Sequence, residues 1–485
     1  MDRTAVIISD RVNVNGTLTQ LSLLADGRLW WPEGGQRNLT IEKELLGFAV
    51  DGPNITLKTI VETADGCCGG VTRGKLLRSD VVFRPSSDES HRLWCQKLRE
   101  FIDSLERPKS LFVFVNPFGG TKSATDIFLH QVKPLLEDAK VQLTVQETKH
   151  QLHAKQVVES LDFSNYDGIV CVSGDGILVE VVNGLLQRQD WDTAINMPLG
   201  VVPAGTGNGM AKSLLDSVGD PCTVPNAVLA IIRGHKRPLD VATITQGETR
   251  FFSVLMLAWG LVADIDIESE KYRWMGSARI DFYALTRIIN LRHYTGCLYF
   301  VPAPGFEAYG EPAIYPESST IRGSNSDVID GENSVKLKGY QGPEIDLDNL
   351  VWRVLSGPFI SVWLHNVPWG SENAKPAPDA KFSDGYLDLI IMKNCLKLPL
   401  LSIMSDLSKG DHVKSPYVMY LKVKVMVLEP GPRLRDQEKE GIIDADGEVL
   451  ARGKGSYKCE QKTLMAYDKL QITVDQGLAT LFTPI

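Results

Sequence analysis

The sequence predicts a fold of class α/β plus β, in which a three-layer α/β domain with a parallel sheet lies between two β domains. Short strand-like runs fill residues 1–85 and end in one amphipathic helical segment. Strand and helix patterns alternate between residues 111 and 205, and strands dominate again from about residue 236 onward. Strand–helix alternation is typical of a parallel sheet, whose ligands bind at the carboxyl ends of its strands. We therefore expect a β-barrel, an α/β domain and an antiparallel β-sandwich, in that order.

These patterns divide the chain into three expected domains, at 1–107, 108–236 and 237–485, with RPKS (107–110) as a linker. A polar stretch rich in Gly, Pro and Ser at 303–349 is expected to be a disordered insertion in the third domain. The apolar run at 251–263 is shorter than the ~20 residues that a bilayer span needs, so we interpret it as a buried strand.

The first domain carries a hairpin signal and a capped helix. Asp26-Gly27 separates two apolar runs, and Ser86 and Glu89 have capping-box spacing before a helix. Its apolar residues share one helical face: Leu93, Trp94, Leu98, Phe101, Ile102 and Leu105. Strands closed by a Trp-bearing amphipathic helix resemble a pleckstrin-homology (PH) barrel. Such domains bind phosphoinositides through a basic cluster near the first hairpin. Since the ADGR turn supplies only Arg28, we favour a packing or partner role.

Composition narrows the classes of function. The net charge of −9 argues against a nucleic-acid partner, which needs a basic face. The eight cysteines include no CxxC pair and the N-terminal residues show no signal-peptide pattern, so we expect free thiols and a cytoplasmic protein. His150 and His153 have a spacing that could serve a metal, but no third ligand is near them in the sequence.

Three glycine-rich loops follow predicted strands of the α/β domain: NPFGGTKSA (116–124), SGDG (173–176) and PAGTGNGMA (203–211). None fits a Walker A or a G-x-G-x-x-G pattern, and each alone is most simply a tight turn. Three of them at strand ends of one sheet are much harder to explain as accidents. Glycines let backbone N–H groups approach a phosphate, and the following helix N-termini add a favourable field. We therefore expect a polyphosphate site at this edge.

Asp175 stands between Gly174 and Gly176 of the second loop. Phosphoryl transfer to an alcohol needs a group that takes the hydroxyl proton, and Asp175 is a candidate. An N-cap for the helix that starts at Gly176 explains the residue equally well. Glu180 and Asn183 share a face of that helix, where they would either hold Mg²⁺ through water or form a solvated surface.

The combination of NPFGG, SGDGILVEVVNGL, PAGTGN and DGE resembles the catalytic superfamily of the diacylglycerol kinases. The segment FFSVLMLAWGLVADIDIESEKYRWMGSARI (251–280) narrows the resemblance to the sphingosine (long-chain-base) kinases. The resemblance covers roughly residues 108–302 and 350–485, and the N-terminal domain with the long insertion resembles the plant type. It implies an ATP- and Mg²⁺-dependent lipid kinase that phosphorylates the primary hydroxyl of sphingosine, sphinganine or phytosphingosine.

The resemblance also implies roles for individual residues. Asp175 would be the general base and Asp266 would bind the substrate's amine and neighbouring hydroxyl, with Ser173 and Gly174 beside the substrate. The residues expected to contact the nucleotide are Asn116, Pro117, Phe118, Thr148, Gly176, Glu180, Gly205, Thr206, Gly207, Arg273, Arg279, Asp446, Gly447 and Glu448. The two arginines would pair with the ATP phosphates. The metal ligands stay open.

Four carboxylates alternate with other residues between Asp264 and Glu270. In an extended strand all four would share one face, where a protonated long-chain amine would offset their repulsion. In the alternative, the strand ends near Asp266 and the chain continues as a helix with solvated charges.

A helical apolar pattern follows at 279–294, with Phe282, Leu285, Ile288 and Ile289 at helical spacing. A core helix is the simpler interpretation, and a lid that opens toward a membrane is the sharper one, because the substrate resides in lipid. We expect peripheral membrane contact, at the vacuolar membrane if the chain comes from a plant. A homodimer is a further expectation.

Two rival functions fit parts of the pattern. Ceramide or diacylglycerol could be the acceptor within the same fold. From another class, the chain could be a non-catalytic lipid-binding scaffold whose N-terminal barrel matters more than its cleft. The filled polar positions of the motifs argue against the scaffold.

Overall fold

The computed structural model describes residues 5–32, 37–62, 76–120, 123–276, 278–315, 339–457 and 463–485. Within these ranges, no helix is both long and apolar enough to cross a bilayer. The described strands form a seven-stranded sheet at the N-terminus and a 16-stranded sheet that runs through the rest of the chain.

The first domain consists of an antiparallel sheet and one long helix. Its elements are β1 (Val6–Val14), β2 (Thr17–Leu24), β3 (Arg28–Trp31), β4 (Arg37–Thr40), α1 (Ile41–Glu44), β5 (Leu45–Asp51), β6 (Asn54–Glu62), β7 (Leu76–Arg84) and α2 (Asp88–Ser104). Trp94 and Leu98 of α2 are buried in the core, and the Trp94 ring lies edge-on to Phe83 at 5.4 Å. The helical face is narrower than predicted, since Leu93 is 43% exposed.

The expected closed barrel is not present. The strand order β4-β3-β2-β1-β7-β6-β5 leaves β4 and β5 at the two ends of the sheet, and no pairing joins them in the part of the chain that is described. The short helix α1 connects these two strands along the chain. Two local expectations are also corrected. The ADGR turn is the second hairpin, and the N-cap of α2 is Ser87, whose Oγ accepts the N–H of Ser90.

The second domain is the predicted three-layer α/β unit. Its elements are β8 (Ser110–Val115), α3 (Ala124–Ile127), a π-helical turn (Phe128–Val132), α4 (Lys133–Asp138), β9 (Gln142–Glu147), α5 (His153–Ser160), a 3-10 turn (Phe163–Asn165), β10 (Gly168–Ser173), α6 (Asp175–Leu186), α7 (Trp191–Ala194), β11 (Leu199–Pro203), α8 (Gly209–Asp216) and α9 (Val224–Arg233). The strands are parallel in the order β11-β10-β8-β9, with an apolar cluster on each face. The loops after β8, β10 and β11 therefore meet at one edge.

The third domain is built mainly of antiparallel strands. Its elements are β12 (Lys236–Gln246), β13 (Thr249–Ser253), β14 (Met256–Gly260), α10 (Leu261–Ser269), a 3-10 segment (Glu270–Met275), α11 (Ala278–Ile289), β15 (Tyr294–Pro302), β16 (Glu311–Ala313), a 3-10 turn (Leu347–Asn349), β17 (Trp352–Ser356), β18 (Ser361–His365), β19 (Leu387–Met392), α12 (Lys397–Asp406), a 3-10 turn (Asp411–Lys414), β20 (Val418–Arg433), β21 (Ile442–Ala445), β22 (Glu448–Arg452) and β23 (Leu470–Phe482). The run at 251–263 forms two strands and the start of a helix, not the single strand expected.

The insertion at 303–349 differs from the expected disorder at both ends. Strand β16 pairs with β17, and Tyr315 packs on Trp352 with ring centroids 5.1 Å apart. At the other end the N–H of Tyr340 donates to the carbonyl of Leu186 at 2.7 Å. These aromatic side chains supply apolar contacts, which the mostly polar composition of the segment did not indicate. Residues 316–338 lie outside the described residues.

The predicted linker at 107–110 begins with a tightly held residue. The guanidinium of Arg107 donates to the carbonyls of Leu45 and Leu46, each at 2.9 Å, and also to those of Ile41 and Glu42. Burial, together with the nearby Arg233, lowers the Arg107 pKa to about 10, which leaves it charged at neutral pH. The linker is therefore fastened to the first domain by hydrogen bonds.

Candidate active site

The three glycine loops contact one another at the edge of the parallel sheet. A Cβ added to Gly205 would lie 2.3 Å from the Cα of Gly174, and one on Gly120 would lie 3.1 Å from the backbone of Gly205. Gly120 also has a φ of +54°, a conformation that favours glycine. These glycines are needed for the loops to pack against each other. Gly176, by contrast, has nothing within 4 Å of such a Cβ.

Asp175 is the first residue of α6, and its carboxylate caps a different helix from the one predicted. Its two oxygens accept the backbone N–H groups of Gly209 and Met210, at 2.8 and 3.0 Å, which open α8. The N-cap of α6 itself is Gly174, with no side-chain cap. Burial raises the pKa of Asp175 and the Glu372 carboxylate adds to this, while the two N–H groups oppose it. Asp175 therefore fixes the third glycine loop, and the residue stays partly exposed.

Two further residues hold the third loop, and we did not single them out from the sequence. Asn208 has a φ of +58°, accepts the N–H of Gly205 at 2.9 Å and donates to Glu372 at 2.6 Å. The N–H of Glu372 in turn donates to the carbonyl of Gly207 at 2.8 Å. The left-handed preference of asparagine was a usable signal for Asn208. Glu372 comes from a loop that is distant in the sequence, and no sequence pattern indicated its contact with the third loop.

The first loop brings Asn116 and Thr148 together. The Asn116 Oδ1 accepts the N–H of Phe118 at 3.0 Å and the Thr148 hydroxyl at 3.3 Å. Thr148 is buried, whereas Phe118, which follows Pro117, is 61% exposed. An exposed ring beside fixed amide and hydroxyl groups suits a planar heterocycle such as a purine.

Glu180 and Asn183 do not form the shared face that we expected from the sequence. Glu180 accepts the N–H groups of Leu152 and Ala154, at 2.8 and 3.0 Å, and so caps α5. Burial raises its pKa, with these N–H groups opposing the shift. Asn183 is buried and exchanges two hydrogen bonds with the backbone of Phe252 in β13. The magnesium interpretation and the solvated-surface interpretation of this pair are therefore both wrong. The nucleotide contact of Glu180 stays a prediction.

The acidic run forms helix α10, not an extended strand, so its carboxylates separate onto two faces. Asp264 and Glu268 both pair with Arg292, at 3.0 and 2.7 Å, and Asp264 also accepts the Tyr294 hydroxyl. Asp266 and Glu270 lie on the other face. The alternative of a helix is correct in its shape. Its charges differ from the solvated ones expected: Asp264, Glu268 and Glu270 pair with arginines, and the first two are buried.

Of the two arginines predicted to bind phosphate, only Arg279 has a side chain that the structure describes. Arg279 is buried and donates a short hydrogen bond to Glu270, within reach of the field of Asp266. To bind a phosphate of ATP, Arg279 would either break its hydrogen bond to Glu270 or donate to the phosphate while keeping that bond. The side chain of Arg273 lies outside the described residues.

The DGE turn lies beside the second domain. Gln151 donates to Glu448 at 2.6 Å, which brings the turn next to the loop after β9. Asp446 is buried, and its carboxylate accepts four hydrogen bonds from the turn between β13 and β14: those of Ser253 Oγ and the N–H groups of Val254, Leu255 and Met256. The Asp446 side chain thus holds this turn in place, and its nucleotide contact stays a prediction. Gly447 and Glu448 stay predicted contacts.

No cluster of three or more His, Cys, Asp or Glu side chains suited to a metal ion occurs in the ranges that the structure covers. The metal ligands therefore stay unassigned. His150 and His153 pack ring against ring, with centroids 4.9 Å apart.

Comparison with known proteins places the chain among lipid kinases. Residues 110–244 match the diacylglycerol kinase catalytic domain, and residues 353–466 match the YegS C-terminal NAD kinase beta sandwich-like domain. The chain is 62% identical to sphingosine kinase 1 of Arabidopsis thaliana, over 99% of this chain and 96% of the relative. It is also 62% identical to sphingosine kinase 2 of the same plant, over 99% and 97%. The fold is similar to a candidate diacylglycerol kinase from Bacillus anthracis, with a TM-score of 0.50, 19% identity and coverage of 78% and 96%.

The glycines that pack loops can be separated by mutation from the one that faces open space. We predict that Gly205→Ala costs about 2 kcal/mol of unfolding free energy, because its Cβ meets the Gly174 backbone. Gly176→Ala is expected to keep or slightly raise stability, since alanine favours a helix. The Gly176→Ala protein should nevertheless bind ATP about tenfold more weakly, because the added Cβ would take up the space through which the Gly176 amide approaches a phosphate. Chemical unfolding and ATP titration measure both effects. A Gly205→Ala protein of unchanged stability would contradict the packing of the loops.

Proposed function

The chain belongs to the sphingosine kinase family, and from this premise we propose that it transfers the γ-phosphoryl group of ATP to the primary hydroxyl of a sphingoid long-chain base. One observation carries the proposal. The carboxylate of Asp175 stands where the three glycine loops converge, and its hydrogen bonds fix the third of them. A proton acceptor is thereby held next to the expected phosphate site.

The residues present fit a nucleotide. Helix α6 has no side-chain cap, so N–H groups at its N-terminus can donate to a phosphate. The space beside Gly176 lets the backbone approach closely. We propose that Asn116, Phe118 and Thr148 take the purine side, and that the loop Gly205–Gly207 takes the phosphates. A bound Mg²⁺ would offset phosphate charge, and its ligands are not assigned.

The proposed step uses Asp175 as the general base. The proton of the primary hydroxyl moves to the Asp175 carboxylate, and the hydroxyl oxygen forms a bond to the γ-phosphorus. The bond from that phosphorus to the β–γ bridging oxygen breaks, and ADP leaves. A raised pKa makes Asp175 a stronger base than an ordinary aspartate, provided that the pH keeps it ionised. Asp266, with Ser173 and Gly174 at the end of β10, would position the substrate's head group.

We propose that α11 meets the membrane from which the substrate comes. Phe282, Leu285 and Ile289 are 46%, 49% and 57% exposed, whereas Ile288 is buried in the core. The predicted helix is therefore both a core helix and an apolar surface. Trp274, 82% exposed, precedes it, and indole rings favour membrane interfaces. This apolar surface supports peripheral binding of a cytoplasmic protein to a bilayer.

We further propose a PH-like fold for the first domain, although its sheet is open. A packing role is supported by contacts at the interface with the second domain: Arg233 donates to the carbonyl of Lys43, and His235 approaches Glu42 at 3.2 Å. Arg28 is already paired with Asp26 at 2.6 Å, which leaves little to recognise a phosphoinositide. A homodimer stays a prediction for a mass measurement in solution.

The role of Asp175 is tested by Asp175→Asn. Asparagine has one acceptor oxygen for two N–H donors, so we expect a loss of about 1 kcal/mol in stability. Loss of the base should lower kcat by a factor of about 10² to 10⁴ while ATP still binds.

Asn208→Gly is the matched control. It keeps the positive φ and removes side-chain contacts from the same loop, so it should cost similar stability but only about tenfold in kcat. Comparable kcat values for the two variants would remove Asp175 as the base.

The membrane surface is tested by a triple change of Phe282, Leu285 and Ile289 to serine. Loss of this exposed apolar area should weaken sedimentation with vesicles at least about tenfold. Leu18→Ser is the control, because Leu18 is 70% exposed on the first domain and should not affect vesicle binding. Unchanged binding by the triple variant would end the membrane proposal.

A further inference from the structure

Asp444 is a buried carboxyl group for which the proposed mechanism has no use. It lies on β21, opposite Ala258 of β14, and is 0% exposed. No N–H or O–H donor of the described residues reaches either of its oxygens. A buried, ionised carboxylate without hydrogen-bond donors is strongly unfavourable. Asp444 is therefore either protonated or able to bind a cation.

The neighbour of Asp444 is Asp266, the residue expected to bind the substrate's amine. The two carboxyl groups face each other and interact directly, by charge and through a shared hydrogen bond. Two carboxylates so close together, one of them fully buried, cannot both be ionised, and they share one proton. Burial and the charge of Asp266 raise the pKa of Asp444 well above its usual range. Asp444 is therefore the protonated partner, and it donates to Asp266.

The groups around this pair leave its negative charge largely unpaired. Asp446 and Glu448 face Asp444 and favour its protonated form. Glu270 and Arg279 face Asp266, but that arginine is hydrogen-bonded to Glu270. The other acidic face of α10 is occupied by Arg292. A cation that enters beside Asp266 thus meets two carboxyl groups and no competing lysine contact in the described part of the chain.

We propose that Asp266 and Asp444 together form one ammonium site, which exchanges its shared proton for the protonated amine of the sphingoid base. This inference rests on the proposed function. The proton of Asp444 passes to solvent as the ammonium group enters, and ammonium N–H groups then donate to both carboxylates. An alkylamine with a pKa of about 10 is already protonated near neutral pH, so the exchange is one cation for another.

The exchange makes Asp444 a residue that determines head-group specificity. An N-acylated base carries a neutral amide with one N–H, and a diacylglycerol carries no nitrogen. Neither can replace the shared proton, so the pair stays protonated and gains no ionic contact from them. A second carboxyl group therefore favours a free amine over a neutral head group.

Asp444→Asn is a suitable test because it replaces a neutral carboxyl by a neutral amide of the same shape, and the fold should persist. The probe is a short-chain, water-soluble sphingoid base, titrated calorimetrically near neutral pH in two buffers with different ionisation heats. The unaltered chain should release about one proton per bound base. The Asp444→Asn chain should release almost none, with KM raised roughly tenfold and kcat within about twofold.

Asp475→Asn serves as the control, since Asp475 is a largely buried acid on β23 that contacts Tyr340 and Thr243 outside the site. It should keep both the proton release and KM. Equal KM and equal proton release in Asp444→Asn and the unaltered chain would overturn the ammonium pair. An unaltered chain that binds ATP but does not phosphorylate the base would instead overturn the proposed function. Thermal unfolding of each variant verifies that it is folded.

Discussion

The site depends on one constraint: the carboxyl-terminal strand β23 pairs with strands of both the second and the third domain. Its first residues are paired with β12 on one side and β20 on the other, and at its end Leu481 pairs with Leu199 of the parallel sheet. A bulge at Gly477 lets one strand serve both parts, and the buried carboxylate of Asp240 holds this bulge by accepting the N–H groups of Gly477 and Gly385, each at 2.7 Å. One continuous sheet therefore supports both the loops around Asp175 and the helix that contains Asp266.

Carboxylates serve the architecture and the proposed chemistry at once. Asp175, Glu180 and Asp446 each accept at least two backbone N–H groups at a helix start or turn. Such contacts are worth about 1 kcal/mol each, whereas loss of a general base costs several times more in activation free energy. A large loss of activity with a small loss of stability is therefore what distinguishes a base from a cap. At Asp175 the proposed base and the observed cap of α8 are the same side chain, so a structural role does not exclude the proposed one.

Much of the architecture could be predicted from local patterns. The alternation of strands and helices between 111 and 205 gave the parallel sheet, and the glycine loops fell at its edge as expected. The errors arose where distant residues decide. The partners of the acidic run on α10 are arginines from α11 and the segment after it, so periodicity alone could not show which carboxylates are neutralised. Likewise, Glu372 and Asp444 reach the site from other strands and loops, and no spacing in the sequence indicates their contacts.

The central claim is that a sphingoid base, with its free amine and primary hydroxyl, is the acceptor of the γ-phosphoryl group. The most direct measurement supplies the purified chain with radiolabelled ATP and equal amounts of sphingosine, ceramide and diacylglycerol in the same vesicles, and then separates the labelled lipids. The account predicts that the label appears almost entirely as sphingosine 1-phosphate. Labelled ceramide phosphate or phosphatidic acid in comparable amounts would contradict it.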